Sequence, residues 1–189
     1  MKKLVVFASG SGTNAENIIK YFESGPLARV SCVLTNKSEA AVLQRCDRLG
    51  IPALYFNRHA FRAGAVLNMV RSENPDLIVL AGFLWKIPAG FIEAFPDRII
   101  NIHPALLPKY GGKGMYGNKV HEAVKKNGER ETGITIHYVN EQYDEGAIIH
   151  QAKTAIDQHD SVEAIAEKVH ALEYEHYPRV IEKLLRNNG

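Results

Sequence analysis

The sequence predicts an α/β fold: a doubly wound, mostly parallel, Rossmann-like sheet with a C-terminal β-hairpin and helix. Three observations predict it. The first hundred residues alternate short apolar runs with segments of helical periodicity, the pattern of repeated βα units whose strands pair in parallel. One of those runs, Asp76–Ala81 (D-L-I-V-L-A), is apolar almost throughout, as a strand covered on both faces is. After residue 130 the pattern changes to two alternating segments joined by a short polar connection, which is the signature of a hairpin.

Lys3–Ala8 is expected to be the first strand, and Ala15–Glu23 a helix with Ile18, Ile19 and Phe22 at helical spacing. Val30–Thr35 is a second strand, and Glu39–Leu49 a second helix that stops before Gly50-Ile51-Pro52. Ala53–Phe56 is a short strand followed by a helix near His59–Ser72. The buried strand Asp76–Ala81 then leads through a short helix, Ala89–Ala94, to a strand over Arg98–Ile102. Lys109–Asn118 (K-Y-G-G-K-G-M-Y-G-N) holds four glycines and is expected to be a loop before a helix near Lys119–Lys126. Thr132–Val139 and Ala147–Ile156 alternate as strands, joined by Asn140–Gly146. From Ser161 the chain reads as helix. Asp160-x-x-Glu163 forms a capping box, and Val162, Ile165, Ala166, Val169 and Leu172 form an apolar stripe. Pro178 is expected to kink this helix or to start a second one.

The chain of 189 residues reads as one domain, 1–189, large enough for a sizeable core. A composition of 46% hydrophobic and 23% charged residues is that of a globular protein. The net charge of +2 is small and its lysines and arginines are scattered, so neither nucleic acid nor a membrane is expected as a partner. The apolar run after Met1-Lys2-Lys3 ends at Ser9-Gly10, too soon for a signal peptide, and no stretch approaches a membrane span. Cys32 and Cys46 fit neither a metal spacing nor a disulfide framework. Buried thiols in a reducing compartment follow, and with them a cytoplasmic protein. The histidines show no ligand spacing, and His121-Glu122 lacks a second His four residues after the first, so no metal is expected.

Two motifs carry chemistry. Ser9-Gly10-Ser11-Gly12-Thr13-Asn14-Ala15 follows the first strand and opens the first helix, matching G-x-G-x-x-A. Glycines let a ligand approach the backbone, and free N–H groups at a helix N-terminus favour an anion. The plainer alternative is a tight turn closed by the capping box Thr13-x-x-Glu16. A dinucleotide site would want an acidic residue after the second strand, where Leu34-Thr35-Asn36-Lys37 has none. A phosphorylated small substrate fits the glycines equally well.

The second motif is I-I-N-I-H-P-A-L-L-P-K-Y at 99–110. Asn101 and His103 interrupt an apolar strand at its carboxyl end, where ligands bind in open α/β sheets. Two apart on extended chain, they point to one side. An amide N–H and an imidazole there would hold a developing oxyanion and move a proton. Pro104 and Pro108 keep the departing loop from becoming helix. Asp144 is the best acidic candidate and His137 shares a face with Thr135 and Val139, although a solvated turn residue and a core histidine are the plainer alternatives.

S-G-x-G-[ST]-N at the start, L-A-G-F-L at 80–84, N-I-H-P-A-L-L-P-K-Y at 101–110 and Asp144 in D-x-G together resemble the folate-dependent formyltransferases, and within them the phosphoribosylglycinamide formyltransferase branch. The resemblance covers almost the whole chain. It implies transfer of a formyl group from 10-formyltetrahydrofolate, a co-substrate, to the primary amine of glycinamide ribonucleotide in purine biosynthesis. It implies Asn101, His103 and Asp144 as the catalytic trio. Gly12, Thr13 and Asn14 would hold the substrate phosphate and Glu173 the ribonucleotide. Leu84, Trp85, Lys86, Ile87 and Val139 would border the folate pterin pocket, with Arg62 the candidate for the folate tail. Residues 1–100 would then form the phosphate-binding half and 101–189 the catalytic and folate-binding half. Trp85-Lys86 and the glycines of 111–117 depart from the pattern common among relatives. The alternatives are a formyltransferase for another amine, such as a sugar nucleotide, and a non-catalytic nucleotide-binding module.

Overall fold

The computed structural model describes residues 1–187. Its centre is a seven-stranded sheet of order β3-β2-β1-β4-β5-β6-β7. The first five strands are β1 (Lys2–Phe7), β2 (Ala28–Thr35), β3 (Ala53–Tyr55), β4 (Leu77–Leu80) and β5 (Ile99–His103), and all pair in parallel. β6 (Glu131–Tyr138) runs antiparallel to β5, and β7 (Ile148–Ala155) antiparallel to β6. The doubly wound sheet with its C-terminal hairpin is therefore present.

Strand alternation sorts the core into two layers. Leu4, Val6, Leu77, Val79, Ile100 and Ile102 face one side, packed against helices α1 (Thr13–Glu23), α2 (Ala41–Arg48) and α7 (Val162–Asn187). Val5, Phe7, Ile78, Leu80 and Ile99 face the other, under α3 (Arg58–Arg62), α4 (Ala65–Glu73) and α5 (Ala89–Ala94). α6 (Asn118–Lys126) packs Val120 and Val124 on Ala105 beyond the carboxyl end of β5. β4 is buried at all four positions because both its faces are covered. Cys32 and Cys46 are buried free thiols, and burial pushes each up to about 11. Among the described residues no helix is long and apolar enough to cross a membrane.

Three local expectations are corrected, and the alternative of a capping box at Thr13 is set aside. The single helix near His59–Ser72 is two, α3 and α4, divided at Gly64, whose φ of 86° suits a residue without Cβ. The capping box at Thr13 does not form: Gly12 is the N-cap, no side chain caps the helix, and Glu16 pairs with Lys20 and Arg45 instead. In α7 the cap is Ser161, whose Oγ accepts from Ala164 N at 3.1 Å. Asp160 accepts from Asp157 N and pairs with Lys168. Finally, Pro178 starts no second helix, because α7 runs through it. Pro178 has no N–H for the carbonyl of Tyr174 four residues back. Asn17 Nδ2 of α1 donates to that carbonyl at 2.9 Å, which satisfies the orphan acceptor.

α7 is fixed against the sheet by Tyr177. Its fully buried hydroxyl donates to the carbonyls of Leu80 (3.0 Å), at the end of β4, and Ile100 (3.4 Å), within β5. Burial, with the charge of Glu173 one turn away, holds the phenol well above its usual range, so it stays a donor. A buried hydrogen bond of this kind contributes about 1 kcal/mol. Its larger consequence is positional, since it sets which α7 residues reach the carboxyl edge of the sheet.

Candidate active site

The strand order reverses between β1 and β4, and the loops leaving those two strands diverge there. A cleft of about 460 Å³ opens at this switch point, beyond the carboxyl ends of the strands. Ser9 ties its floor together. Its N–H donates to Gly82 O (3.1 Å), its hydroxyl donates to Asn36 Oδ1 (2.6 Å), and the same oxygen accepts from Leu84 N (2.9 Å). One buried serine thus joins the ends of β1, β2 and β4.

At the end of β5, Asn101 and His103 both line the cleft. The antiparallel register sets Asn101 opposite His137 and His103 opposite Thr135. The partners fix the tautomers, because a carbonyl only accepts. His137 Nδ1 lies 2.8 Å from Tyr138 O, so Nδ1 carries the proton and Nε2 is a lone pair. That lone pair accepts from Asn101 Nδ2 at 3.1 Å. Burial holds His137 below the usual imidazole range, against the smaller opposing pulls of Tyr138 O and Asp144, which keeps the ring neutral and the acceptor intact. Asn101 is thereby oriented, with its second N–H free for the cleft. His103 Nε2 lies 2.7 Å from Tyr110 O and donates to it, so Nδ1 is the nitrogen left for chemistry.

Asp144 faces that nitrogen, Oδ2 to Nδ1 at 3.6 Å, a charge contact longer than a hydrogen bond. The D-x-G motif explains how the 139–147 connection brings it there. Asp144 takes a left-handed φ of 57°. A Cβ on Gly146 would sit 1.7 Å from Tyr138 O, so only glycine lets the loop lie this close to β6. Asp144 Oδ2 also accepts from Gly112 N at 2.9 Å, which ties the glycine-rich loop to the hairpin connection. Thr135 holds the intervening loop: its hydroxyl donates to Ala105 O and accepts from Leu107 N and Gln151 Nε2.

Across the cleft lie Gly12, Thr13 and Asn14 at the N-terminus of α1, together with Glu173 of α7. Gly12 is required twice. Its φ is 75°, and a Cβ would meet Val42 at 2.3 Å (Cγ2), 2.5 Å (Cβ) and 2.9 Å (Cα). α2 is pressed onto the loop, with Val42 N donating to Gly10 O and Arg45 Nε to Ser11 O. Glu173 is buried, and its Oε2 accepts from Asn14 Nδ2 (2.8 Å) and His170 Nδ1 (2.9 Å). Glu173 raises the His170 pKa, opposed by burial.

Of the residues expected around the pterin, Leu84 lines the cleft. The others lie elsewhere. Trp85 joins Phe56, Phe61 and Phe83, with Arg58 4.6 Å over its ring. Ile87 is buried in the same apolar cluster and Val139 packs on it. Lys86 sits 5.9 Å over the ring of Tyr143, which does line the cleft. Arg62 is exposed at the end of α3. Sequence reasoning passed over Ser9, the Tyr110 carbonyl, His121 and His170, all but Tyr110 and Ser9 being cleft-lining side chains. The i, i+3 spacing of His170 and Glu173 was the available signal for one of them. Among the described residues no three His, Cys, Asp or Glu side chains are grouped to hold a metal ion.

A family model described as formyl transferase matches residues 2–181. The chain is 40% identical over 187 residues to the phosphoribosylglycinamide formyltransferase of Haemophilus influenzae, covering 96% of this chain and 86% of that protein. It is 39% identical over 187 residues to the chloroplastic phosphoribosylglycinamide formyltransferase of Arabidopsis thaliana, covering 95% of this chain but 64% of that longer protein. The crystal structure of glycinamide ribonucleotide transformylase 1 from Symbiobacterium toebii matches with a TM-score of 0.91 at 32% identity, over 99% of this chain and 89% of that one.

Two outcomes follow from the geometry. Gly12→Ala combines a left-handed φ with a backbone collision and is expected to destabilise by about 2–4 kcal/mol in denaturant unfolding. Val42→Ala is expected not to restore it, because Val42 Cα itself is in the way; full rescue would contradict the packing. The second outcome concerns acid. His137 is held neutral in the fold, while the unfolded chain takes up that proton near pH 6.5, so stability falls as pH drops below about 6.5, by at most about 1.4 kcal/mol per pH unit for each such ring. His121 and His150, also lowered chiefly by burial, act in the same direction, and His170, raised by Glu173, in the opposite one. His137→Gln, whose side-chain oxygen can accept from Asn101, is expected to flatten the slope; an unchanged slope in urea melts across that range would contradict it.

Proposed function

The chain belongs to the formyl transferase family, and from that premise we propose that it transfers the formyl group of 10-formyltetrahydrofolate to the primary amine of glycinamide ribonucleotide, a step of purine biosynthesis. The observation that carries this reading is the convergence of Asn101, His103 and Asp144 on one cleft whose other side is an uncapped helix N-terminus.

The amine attacks the formyl carbon, and the carbonyl electrons move onto oxygen. Asn101 stabilises that oxyanion through the Nδ2 hydrogen not used by His137, and His103 through a protonated Nδ1. The oxyanion then collapses to a carbonyl and the bond from the formyl carbon to N10 breaks, so the amine must lose a proton and N10 of the departing folate must gain one. Asp144 supports the first, since its Oδ1 accepts no hydrogen bond from a described residue. The proton on His103 Nδ1 serves the second. Both proton transfers in this scheme are carried by side chains, and the scheme uses no metal.

The substrate phosphate belongs at Gly12, Thr13 and Asn14, where the first N–H groups of α1 have no side-chain cap. Glu173, reaching the cleft from α7, belongs with the ribose. Leu84 borders the pterin directly. Trp85, Ile87 and Val139 shape that wall from behind, and Lys86 acts through Tyr143. Arg62 remains the candidate for the folate tail. The phosphate thus falls to residues 1–100, and catalysis and most of the folate wall to 101–189.

The decisive experiment follows formylfolate loss by absorbance on adding glycinamide ribonucleotide. Turnover with a sugar-nucleotide amine and none with glycinamide ribonucleotide would move the substrate assignment. Within the reaction, His103→Ala and Asn101→Ala are each expected to cost about 10²–10³ in kcat. The double variant is expected to cost less than the product of the two, because the residues act on one oxyanion. Near wild-type turnover in His103→Ala rejects the mechanism.

A further inference from the structure

His121 lies on α6, directly after the glycine-rich loop, and lines the cleft while being only 2% exposed. Its Nδ1 is buried with no hydrogen-bond partner among the described residues. Burial, the largest influence, holds the ring below its ordinary range, and His170, Glu173 and His103 all lie within electrostatic reach of it. A neutral imidazole carries one N–H and one lone pair, and a buried polar nitrogen without a partner costs free energy that the apo fold does not recover. Asn14, from a third helix, also has an unpartnered buried atom, Oδ1, and its amide nitrogen already serves Glu173. Two residues that carry orphaned polar atoms, Asn14 of α1 and His121 of α6, therefore line the same cleft as Glu173 of α7.

We propose that His121 is a binding residue for the acceptor substrate, with its ring nitrogen Nδ1 completed by a sugar hydroxyl of the ribonucleotide. The Cβ–Cγ torsion of histidine is soft, so binding requires only a turn of this cleft-lining ring to present the nitrogen. The inference rests on the glycinamide ribonucleotide reading above and adds to it a residue that distinguishes a ribosylated acceptor from a bare amine. It makes His121 a residue of acceptor affinity and not of the formyl donor.

The test is steady-state kinetics, acceptor calorimetry without donor, and thermal melts on His121→Phe and His121→Asn. Phenylalanine keeps the ring's shape and removes both nitrogens. It is expected to raise the KM and Kd for glycinamide ribonucleotide roughly 5- to 20-fold, the worth of one lost hydrogen bond. The donor KM is expected to stay within about twofold. The Tm is expected not to fall, because the nitrogen lost had no partner. Asparagine keeps a hydrogen-bonding atom near the Nδ1 position and is expected to recover most of the acceptor affinity. An unchanged acceptor KM in His121→Phe overturns the inference. So does a rise in both KM values together with a lower Tm and no recovery by asparagine, the pattern of a structural residue. Absence of wild-type turnover and binding with glycinamide ribonucleotide would instead overturn the functional reading, and this inference with it.

Discussion

The site depends on one pairing: β6 lies antiparallel to β5 with Asn101 opposite His137. Residues 104–130, with α6, bring the chain back so that β6 runs opposite to β5. Running back, β6 sets a buried imidazole beside the amide, and its neutral ring uses the backbone of Tyr138 as donor target and the amide as donor source. A register slip of one residue would turn His137 to the opposite face and leave Asn101 facing Ile136 or Tyr138. The orientation of Asn101 is thus a property of sheet register before it is a property of any single contact.

The same economy holds around the pair. His103 is fixed by a backbone carbonyl, that of Tyr110, whose own φ of 58° belongs to the sharp exit from the proline loop. Asp144 is fixed by the backbone N–H of Gly112 and by the close seating of Gly146 on β6. On the far side, Gly12 lets α2 press onto the loop, and Tyr177 sets the register of α7 that carries Glu173 to the cleft. The charged groups of the site are therefore held chiefly by backbone and by buried neutral partners. At the switch point Ser9, leaving β1, bonds to the chain ends that follow β2 and β4, so three strand ends of the sheet are tied through one residue.

Much of this was legible in the sequence, for reasons that are local. The two-sided apolar run of β4 and the βα alternation follow from burial alone, so the parallel block was readable. Asn101 and His103 stood out because polar residues break an apolar strand at its carboxyl end. The capping box at Asp160 was misread because the adjacent Ser161 takes the cap, and the alternative of a box at Thr13 fails because Arg45 and Lys20 draw Glu16 away. The break at Gly64 was missed because helical periodicity continues across it. Pro178 was expected to kink α7 or to start a second helix; the donor that satisfies the freed carbonyl, Asn17, lies 161 positions earlier and no local pattern points to it. His121 stood in the sequence as an isolated histidine, and only the packing of α6 beside α1 and α7 brings it to the cleft, whereas the i, i+3 spacing of His170 and Glu173 was there to be read.

The wiring of the imidazoles is the central claim, and long-range proton–nitrogen correlation of the histidine rings near neutral pH tests it most directly. His137 is predicted to be neutral with the proton on Nδ1 and a bare Nε2, and that Nε2 signal is predicted to move when Asn101→Leu removes its donor. A His137 ring that is charged, or protonated at Nε2, would leave Asn101 without its acceptor and would contradict the account.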